Sequence, residues 1–566
     1  MSTDQLSPPR SGRSYRALSA RLLTGLAGLL VWLALVLPDR PEQLTPLAFL
    51  RLPIEGLALL GLGLVLRSRA RQLAALLAGV VLGLLVLLKA LDLGFGTALD
   101  RPFNPVVDWG YFDSAAGLLA DSVGHRQAVL ILLALGGLAI AVLAGVPLAM
   151  LRLARVADRH RIGTVRVGVV LGLVWLNCAA LGVQFVAGSP VASTDAARLA
   201  WDRADKARTD LRDERAFARA AKLDPLRDTP AERLLTGLRG KDVLIAFVES
   251  YGRVAVQDSA FSPGVDAVLD SGTSRLRSAG FCSRSAFLTS PTFGGISWLA
   301  HSTLQSGLWI DNQLRYDRLM ASDRSTLSVA FQRAGWRTVS DIPANERNWP
   351  EGTSFYHYEQ RYDGTNTGYA GPKFGYATMP DQYTLAALQR RELAPADRRP
   401  VMAEIDLVSS HTPWTPLPRM VDWNAVGDGS VFDPMPAEGP SAGQVWPNPA
   451  RVRTAYGASI EYSLNALVSF VQTYGDDNLV LIVLGDHQPA TIVSGSNAGR
   501  DVPISIIARD PAVLDRISGW GWQDGLRPRP DAPVWPMDAF RDRFLTAYGP
   551  PPESMSTKAA RTSCGG

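Results

Sequence analysis

Cysteine and histidine are scarce in this chain of 566 residues, and each scarcity excludes something. The three cysteines, Cys178, Cys282 and Cys564, are too few for a disulfide framework, and the first stands inside an apolar run. Of the six histidines, His125 and His160 fall in the apolar N-terminal third, which leaves few imidazoles for a centre that needs several. Lysine is rare and arginine carries most of the positive charge, a bias that fits GC-rich coding. The excess of +4 sits in short loops between apolar runs, not on a face suited to a phosphate backbone, so no nucleic-acid partner is read from it. No small-residue cleavage site follows the first apolar run, which therefore reads as an anchor and not as a removed signal peptide. What is plentiful is apolar material, 47% of the chain, enough for a sizeable core and for more than one structural part.

A bilayer core needs about 20 apolar residues as helix. Five runs approach that length, near Leu22 to Pro38, Leu44 to Leu66, Gln72 to Leu91, Ala128 to Leu151 and Val165 to Val186. The second is the weakest, because Arg51 and Glu55 interrupt it; a re-entrant or interfacial segment is its alternative. Five crossings are expected. Arginine collects in the N-terminal arm (Arg10, Arg13, Arg16, Arg21), in the turn Arg67/Arg69/Arg71 and in the loop Arg152/Arg155/Arg159/Arg161/Arg166, and cationic loops are retained on the cytoplasmic side. The intervening segments carry Asp39, Glu42, Asp92, Asp100, Asp108, Asp113 and Asp121 and are expected outside, together with everything after Gly188. Residues 1–190 thus form a membrane domain in a cytoplasmic membrane.

Residues 191–239 are charged and alanine-rich, with Pro225 and Pro230 breaking a helix-compatible pattern. They read as a connecting arm with a solvated helical face, or as a helix lying on the membrane surface. From residue 240 to about 550, short apolar runs alternate with helical stretches, which predicts an α/β domain around a central, mainly parallel sheet. A tail, 551–566, is expected to be disordered. Asp242–Val248 (DVLIAFV) and Leu479–Leu484 (LVLIVL) read as buried strands. In open α/β sheets ligands gather at the carboxyl ends of strands, so Glu249-Ser250 and Gly485-Asp486-His487 are candidates for one shared site. Taken singly, Glu249 as a helix cap and Asp486 and His487 as turn residues explain them equally well.

The runs VLIAFVESYGR, SSHTPW and IVLGDHQP together resemble the alkaline phosphatase superfamily, and within it the membrane-anchored, sulfatase-like branch of lipoteichoic acid synthases and phosphoethanolamine transferases. That resemblance implies one divalent metal ion, manganese or zinc, held by Glu249, by the nucleophile, and by Asp486 and His487. A bound cation depresses the pKa of a hydroxyl and offsets charge that builds on a phosphoryl oxygen. Across the superfamily the nucleophile stands ten residues before a glycine; counted back from Gly307 this is Ser297, with Thr292 as the competitor because the branch usually employs threonine. Ser297 lies in a glycine-containing stretch that reads as a turn feeding a helix, where the dipole favours anions. The hydroxyl not used is a cap or turn group.

His411 in SSHTPW matches the histidine placed near the substrate phosphate, to stabilise charge or donate a proton. A satisfied histidine at a strand end is the alternative. Trp349 in NERNWPEG resembles a headgroup-contacting tryptophan; Glu351 stands where an arginine is expected, and Arg347 is the cation that can replace it. His301, one turn after Ser297, is expected to pack or face solvent, and His357 is left open. A formylglycine sulfatase is disfavoured, because Leu299 and His301 stand where proline and arginine belong. The resemblance therefore implies transfer of a phospholipid headgroup, of phosphoglycerol or phosphoethanolamine type, onto an envelope glycan or lipid. The alternatives are a phosphodiesterase or sulfuric-ester hydrolase of the same superfamily, and a non-catalytic membrane sensor.

Overall fold

The structure, a computed structural model, describes residues 11–40, 43–112, 115–117, 119, 124–186, 189–495 and 498–550. Arg10, Glu42, Asp113, Asp121, Gly188, Cys564 and the tail 551–566 lie outside them. The chain divides into two compact units, Met1–Thr97 with Arg101–Arg212, and Ala98–Asp100 with Asp213–Gly566. The division falls inside helix Asp195–Ala220, which lies within residues 191–239.

The first unit is built on helices α1 (Ser11–Val36), α2 (Ile54–Val65), α3 (Ser68–Leu99), α4 (His125–Arg159), α5 (Arg161–Ala180) and the N-terminal part of α6 (Asp195–Ala220). Four of them, α1, α3, α4 and α5, are long and apolar enough to cross a membrane. Against the expectation of five, four helices have that length; the second run yields only α2, whose 12 residues span about 18 Å against a core of about 30 Å and do not cross as helix alone. Arg51 and Pro53 explain the shortening: Pro53 supplies the fixed φ before the helix starts, and Arg51 is drawn aside to Val36 O, Ala48 O and Asp195.

Contacts within this unit sort its charges to two ends. At one end Arg152 donates to Ala20 O (2.5 Å), Arg161 to Leu64 O (3.0 Å), and Arg71 pairs with Asp158 (2.6 Å). At the other, Arg51 and Lys89 donate to Val36 O and Leu35 O, the bare carbonyls that end α1, where cations complement the helix dipole. The buried carboxylate of Asp92 accepts from Phe103 N and pairs with Arg203.

In the second unit the principal strands are β1 (Asp242–Val248), β2 (Cys282–Thr289), β3 (Arg337–Ile342), β4 (Gln360–Asp363), β5 (Val401–Leu407), β6 (Leu479–Gly485), β7 (Asp501–Ala508), β8 (Gln523–Asp524) and β9 (Val534–Pro536). They form one sheet of nine in the order β8-β2-β7-β6-β1-β5-β3-β4, with β9 on β2. The run β6-β1-β5-β3-β4 is parallel, whereas β7 pairs antiparallel with both β6 and β2. The sheet is therefore mixed and not simply parallel. After β6 the chain turns back through residues 486–500, which include the four-residue helix Thr491–Ser494, and β7 runs antiparallel beside β6.

All seven residues of β1 and of β6 are buried, as expected for central strands covered on both faces. Alternate residues divide the faces: Leu244, Ala246 and Val248 join a cluster with Leu269 and Leu276 of α7 (Ser262–Ser278) and Ile460, Leu467 and Phe470 of α10 (Pro449–Tyr474). Each such side chain, fully buried, stabilises by roughly 1.5–3 kcal/mol. Phe247 points to the opposite face, where α8 (Ser297–Ser306) brings His301 against it. Helix α9 (Asp381–Leu388) is buried along its length, and α10 starts cleanly because Asn448 caps Ala450 N and Arg451 N with Pro449 at the first position.

Candidate active site

Register is what brings the candidate residues together. Gly485 of β6 pairs with Val248 of β1, and Val248 pairs on its other side with Leu407 of β5. The residues that follow these three, Asp486-His487, Glu249 and Val408-to-His411, therefore emerge side by side at one sheet edge. Gly485 is required there, since a Cβ would lie 1.9 Å from Tyr251 O. The edge is held by short bonds: Asp486 Oδ1 accepts from Ser250 N and His487 N (both 2.7 Å), Ser410 Oγ donates to Glu249 O (2.6 Å), and Ser290 Oγ donates to Asp486 O (2.6 Å).

Glu249, Asp486 and His487 bring their donor atoms within 4.8 Å of one another. His487 Nε2 lies 3.4 Å from Glu249 Oε1 and 3.4 Å from Asp486 Oδ2. Its Nδ1–H donates to the carbonyl of Gln488 (2.9 Å), so the lone pair is on Nε2 and faces the carboxylates. Burial, reinforced by the charge of Glu249, raises the Asp486 carboxyl to about 6. Two crowded carboxylates, a hydroxyl and an imidazole with its lone pair directed inward are a donor set that fits a divalent cation such as zinc or manganese.

The hydroxyl of that set belongs to Ser297. It is the first residue of α8, and its Oγ lies 3.0 Å from Glu249 Oε2 and 3.2 Å from His487 Nε2. The turn before it is stitched to the β6 edge, with Gly294 N donating to Gln488 O (2.9 Å) and Phe293 bridged to Gln488. Ile296, the residue before the helix, has φ +68°, a left-handed conformation that a β-branched side chain adopts only when its surroundings impose it. Thr292 is spent differently: it is buried, and its Oγ1 donates to Gly295 O inside the same turn.

His411 stands at the β5 edge of the site with its ring stacked on Tyr376, centroids 3.7 Å apart. Its Nδ1–H donates to Thr412 O (2.6 Å), and burial, then the nearby His487, pushes its pKa down to about 4. The ring is thus neutral with an accepting Nε2. Trp349 packs at a tilt against Tyr356 and Tyr358 (5.5 and 6.2 Å) and its carbonyl accepts from Arg361. Arg347 is exposed, and its backbone N–H donates to Asn345 Oδ1. Neither of these two is brought to the carboxylate cluster by a hydrogen bond or ring contact. His357 is exposed, with φ +56°.

One group escaped the sequence reading. His301 neither faces solvent nor merely packs: its Nδ1 lies 2.8 Å from Glu404 Oε1 and 3.5 Å from Asp406 Oδ1. Burial opposes its charge, but Asp406 and Glu404 overcome this and raise it to about 9. The signal was present in two spacings. Ser297 and His301 are four apart on a helix, and Glu404 and Asp406 two apart on a strand, so each pair shares a face.

No family model matches the chain, and no curated protein matches it. Solved structures do match it. It is similar to the lipoteichoic acid synthase LtaP of Listeria monocytogenes, at 14% identity and a TM-score of 0.34, over 48% of this chain and 66% of that one, just under two thirds of its length. It is similar to a protein of the alkaline phosphatase superfamily from Vibrio parahaemolyticus, at 15% identity and TM-score 0.36, over 59% and 74% of the two chains. The phosphoglycerol transferase GacH of Streptococcus pyogenes, in complex with sn-glycerol-1-phosphate, matches at 13% identity and TM-score 0.34, over 59% and 91%.

Proposed function

We propose that this chain is a metal-dependent phosphoryl transferase that takes the headgroup of a membrane phospholipid, of phosphoglycerol or phosphoethanolamine type, and passes it to a hydroxyl of an envelope glycan or lipid. The observation that carries this reading is the Ser297 hydroxyl, at the first position of α8 and within 3.0 Å of Glu249 and 3.2 Å of His487. Glu249, Ser297, Asp486 and His487 would hold one divalent cation, manganese or zinc, which when bound supplies Lewis-acid polarisation of hydroxyl and phosphoryl oxygens.

The remaining steps belong to the protein's own groups. Ser297 Oγ forms the bond to phosphorus while its proton moves toward Glu249 Oε2, and the bond from phosphorus to the glyceride oxygen breaks, that oxygen taking a proton from water. The N-terminal end of the α8 dipole favours the negative charge of the phosphoryl oxygens. In the second half the acceptor hydroxyl attacks phosphorus, its proton passes to His411 Nε2, and the Ser297–phosphorus bond breaks, the serine oxygen taking back the proton held on Glu249 Oε2. Trp349 and Arg347 enter this proposal only as the headgroup contacts the family resemblance implies.

Orientation is part of the same proposal. The end of the first unit that holds Arg71, Arg152 and Arg161 is cytoplasmic by the positive-inside rule, and α2 with the residues before it forms the return leg between α1 and α3. The second unit then lies on the outer face of the cytoplasmic membrane. ATP is absent there, which favours a donor already esterified in lipid.

The deciding experiment incubates the full-length protein in detergent with Mn2+ and headgroup-labelled phosphatidylglycerol or phosphatidylethanolamine, with and without an envelope glycan. Label in the glycan supports transfer. Free labelled headgroup alone supports the hydrolase, with water in the acceptor's place. No turnover with either lipid, at saturating cation, sinks both.

A further inference from the structure

We infer that Glu404 is a positioning residue that sets the height and rotation of α8, and so the place of the Ser297 hydroxyl, an inference that rests on Ser297 being the nucleophile. The N-terminus of α8 has no side-chain cap, since Ile296 stands at the capping position. Its first turn must be held from elsewhere. Ser297, His301 and Gln305 recur at four-residue intervals and so line one face of the helix. Ser297 meets Glu249 and His487; the two residues below it both meet Glu404.

Glu404 accepts the His301 Nδ1–H on Oε1 at 2.8 Å, and on Oε2 it accepts from the Gln305 amide and from the Tyr358 hydroxyl at 2.8 Å. A single carboxylate therefore spans two successive turns of the helix. It is buried, and it sits in β5 in register with Ile245 of β1, the strand that Glu249 follows. The position of α8 is thereby referred to the strand pair that carries the metal-type carboxylate. Glu404 touches none of the reacting groups, so its effect passes through the helix. A displacement of about 1 Å at a nucleophile can cost on the order of 10²-fold in rate. Ser302 provides the internal comparison. It bonds to Trp298 O and to the Tyr356 hydroxyl from another face of the same helix.

The test uses the full-length protein in detergent with Mn2+ and headgroup-labelled phosphatidylglycerol and phosphatidylethanolamine, and measures kcat and KM separately. Glu404→Gln, which keeps the volume but cannot accept from three donors, is expected to lower kcat by about 10- to 100-fold with KM within about twofold. Ser302→Ala is expected to keep wild-type kcat. His301→Leu should behave as Glu404→Gln, and His301→Asn, whose amide N–H can replace the Nδ1–H, should recover most of the loss; this pair decides the matter should Glu404→Gln not accumulate. Wild-type kcat in Glu404→Gln, with Ser297→Ala inactive, overturns the positioning role alone, as does an equal loss in Ser302→Ala. Wild-type activity in Ser297→Ala overturns the nucleophile reading and the positioning role with it.

Discussion

The hydroxyl of Ser297 lies 3.2 Å from Nε2 of His487, a residue 190 positions later in the chain. Ser297→Ala is therefore expected to reduce turnover of labelled phospholipid by about 10³-fold or more, with KM little changed. Intact-mass and peptide analysis of the quenched wild-type reaction should find phosphate ester on the Ser297 peptide. Modification of Thr292 instead would exchange their roles. Thr292→Ala removes only a turn hydrogen bond and should cost about 1 kcal/mol of stability while sparing most of kcat.

Asp486 and His487 follow a strand whose partner is followed by Glu249, and cation affinity should depend on all three. Calorimetric titration with Mn2+ is expected to find one site per chain, weakened at least about 10- to 100-fold in His487→Ala and Asp486→Asn. Chelation should abolish turnover, and added Mn2+ or Zn2+ should restore it. Turnover that survives exhaustive chelation argues against metal dependence outright.

His411 has its Nδ1–H tied to Thr412 O and its pKa pushed down to about 4, so it stays a neutral acceptor through the physiological range. The sign follows directly. A histidine depressed in the folded state loses its accepting Nε2 only as pH falls toward about 4. The rate of transfer to the acceptor should show no inflection near 6.5 arising from this residue, and His411→Asn should slow transfer more than formation of the phospho-enzyme. An acidic limb near 6.5 that His411→Asn removes would contradict this.

Asp224 is buried beneath Arg541, with two contacts at 2.7 and 2.8 Å, and Arg324 approaches at 3.7 Å. Burial opposes the charge on Asp224, but the hydrogen bond and charge of Arg541, then Arg324, hold its carboxyl below the usual range. A depressed carboxylate contributes stability above its unfolded pKa near 4 and loses it as pH falls below that value. Asp224→Asn removes the carboxylate that two buried guanidinium groups share, leaving Arg541 only Asp542, and chemical denaturation of the second unit should register a loss of about 3–5 kcal/mol. Denaturation that matches wild type would mean the guanidinium groups find other partners.

Much of the site was legible because strand ends are legible. Val243–Val248 and Leu479–Leu484 are unbroken apolar runs of strand length, and the polar residues after them stand at the carboxyl ends of those strands. The helix at Ser297 was likewise readable from its glycines. The role of His411 was not, because the direction of its proton depends on the carbonyl of Thr412. Nor was His301, whose partners Glu404 and Asp406 lie on a strand about a hundred residues away. The five-helix count overreached at α2 for a local reason: apolar content was counted across Pro53, where the helix begins.

Composition and pattern, which act over a few turns or one strand, thus determined the apolar helices, the two central strands and the residue types available for metal and phosphoryl chemistry. Only the tertiary structure decided which hydroxyl meets Glu249 and His487, that β7 returns antiparallel to make the sheet mixed, and that one carboxylate grips two turns of the helix below Ser297. Register between distant strands and the rotation of a helix about its axis are set by packing across the whole sheet, and no local stretch of sequence encodes them alone.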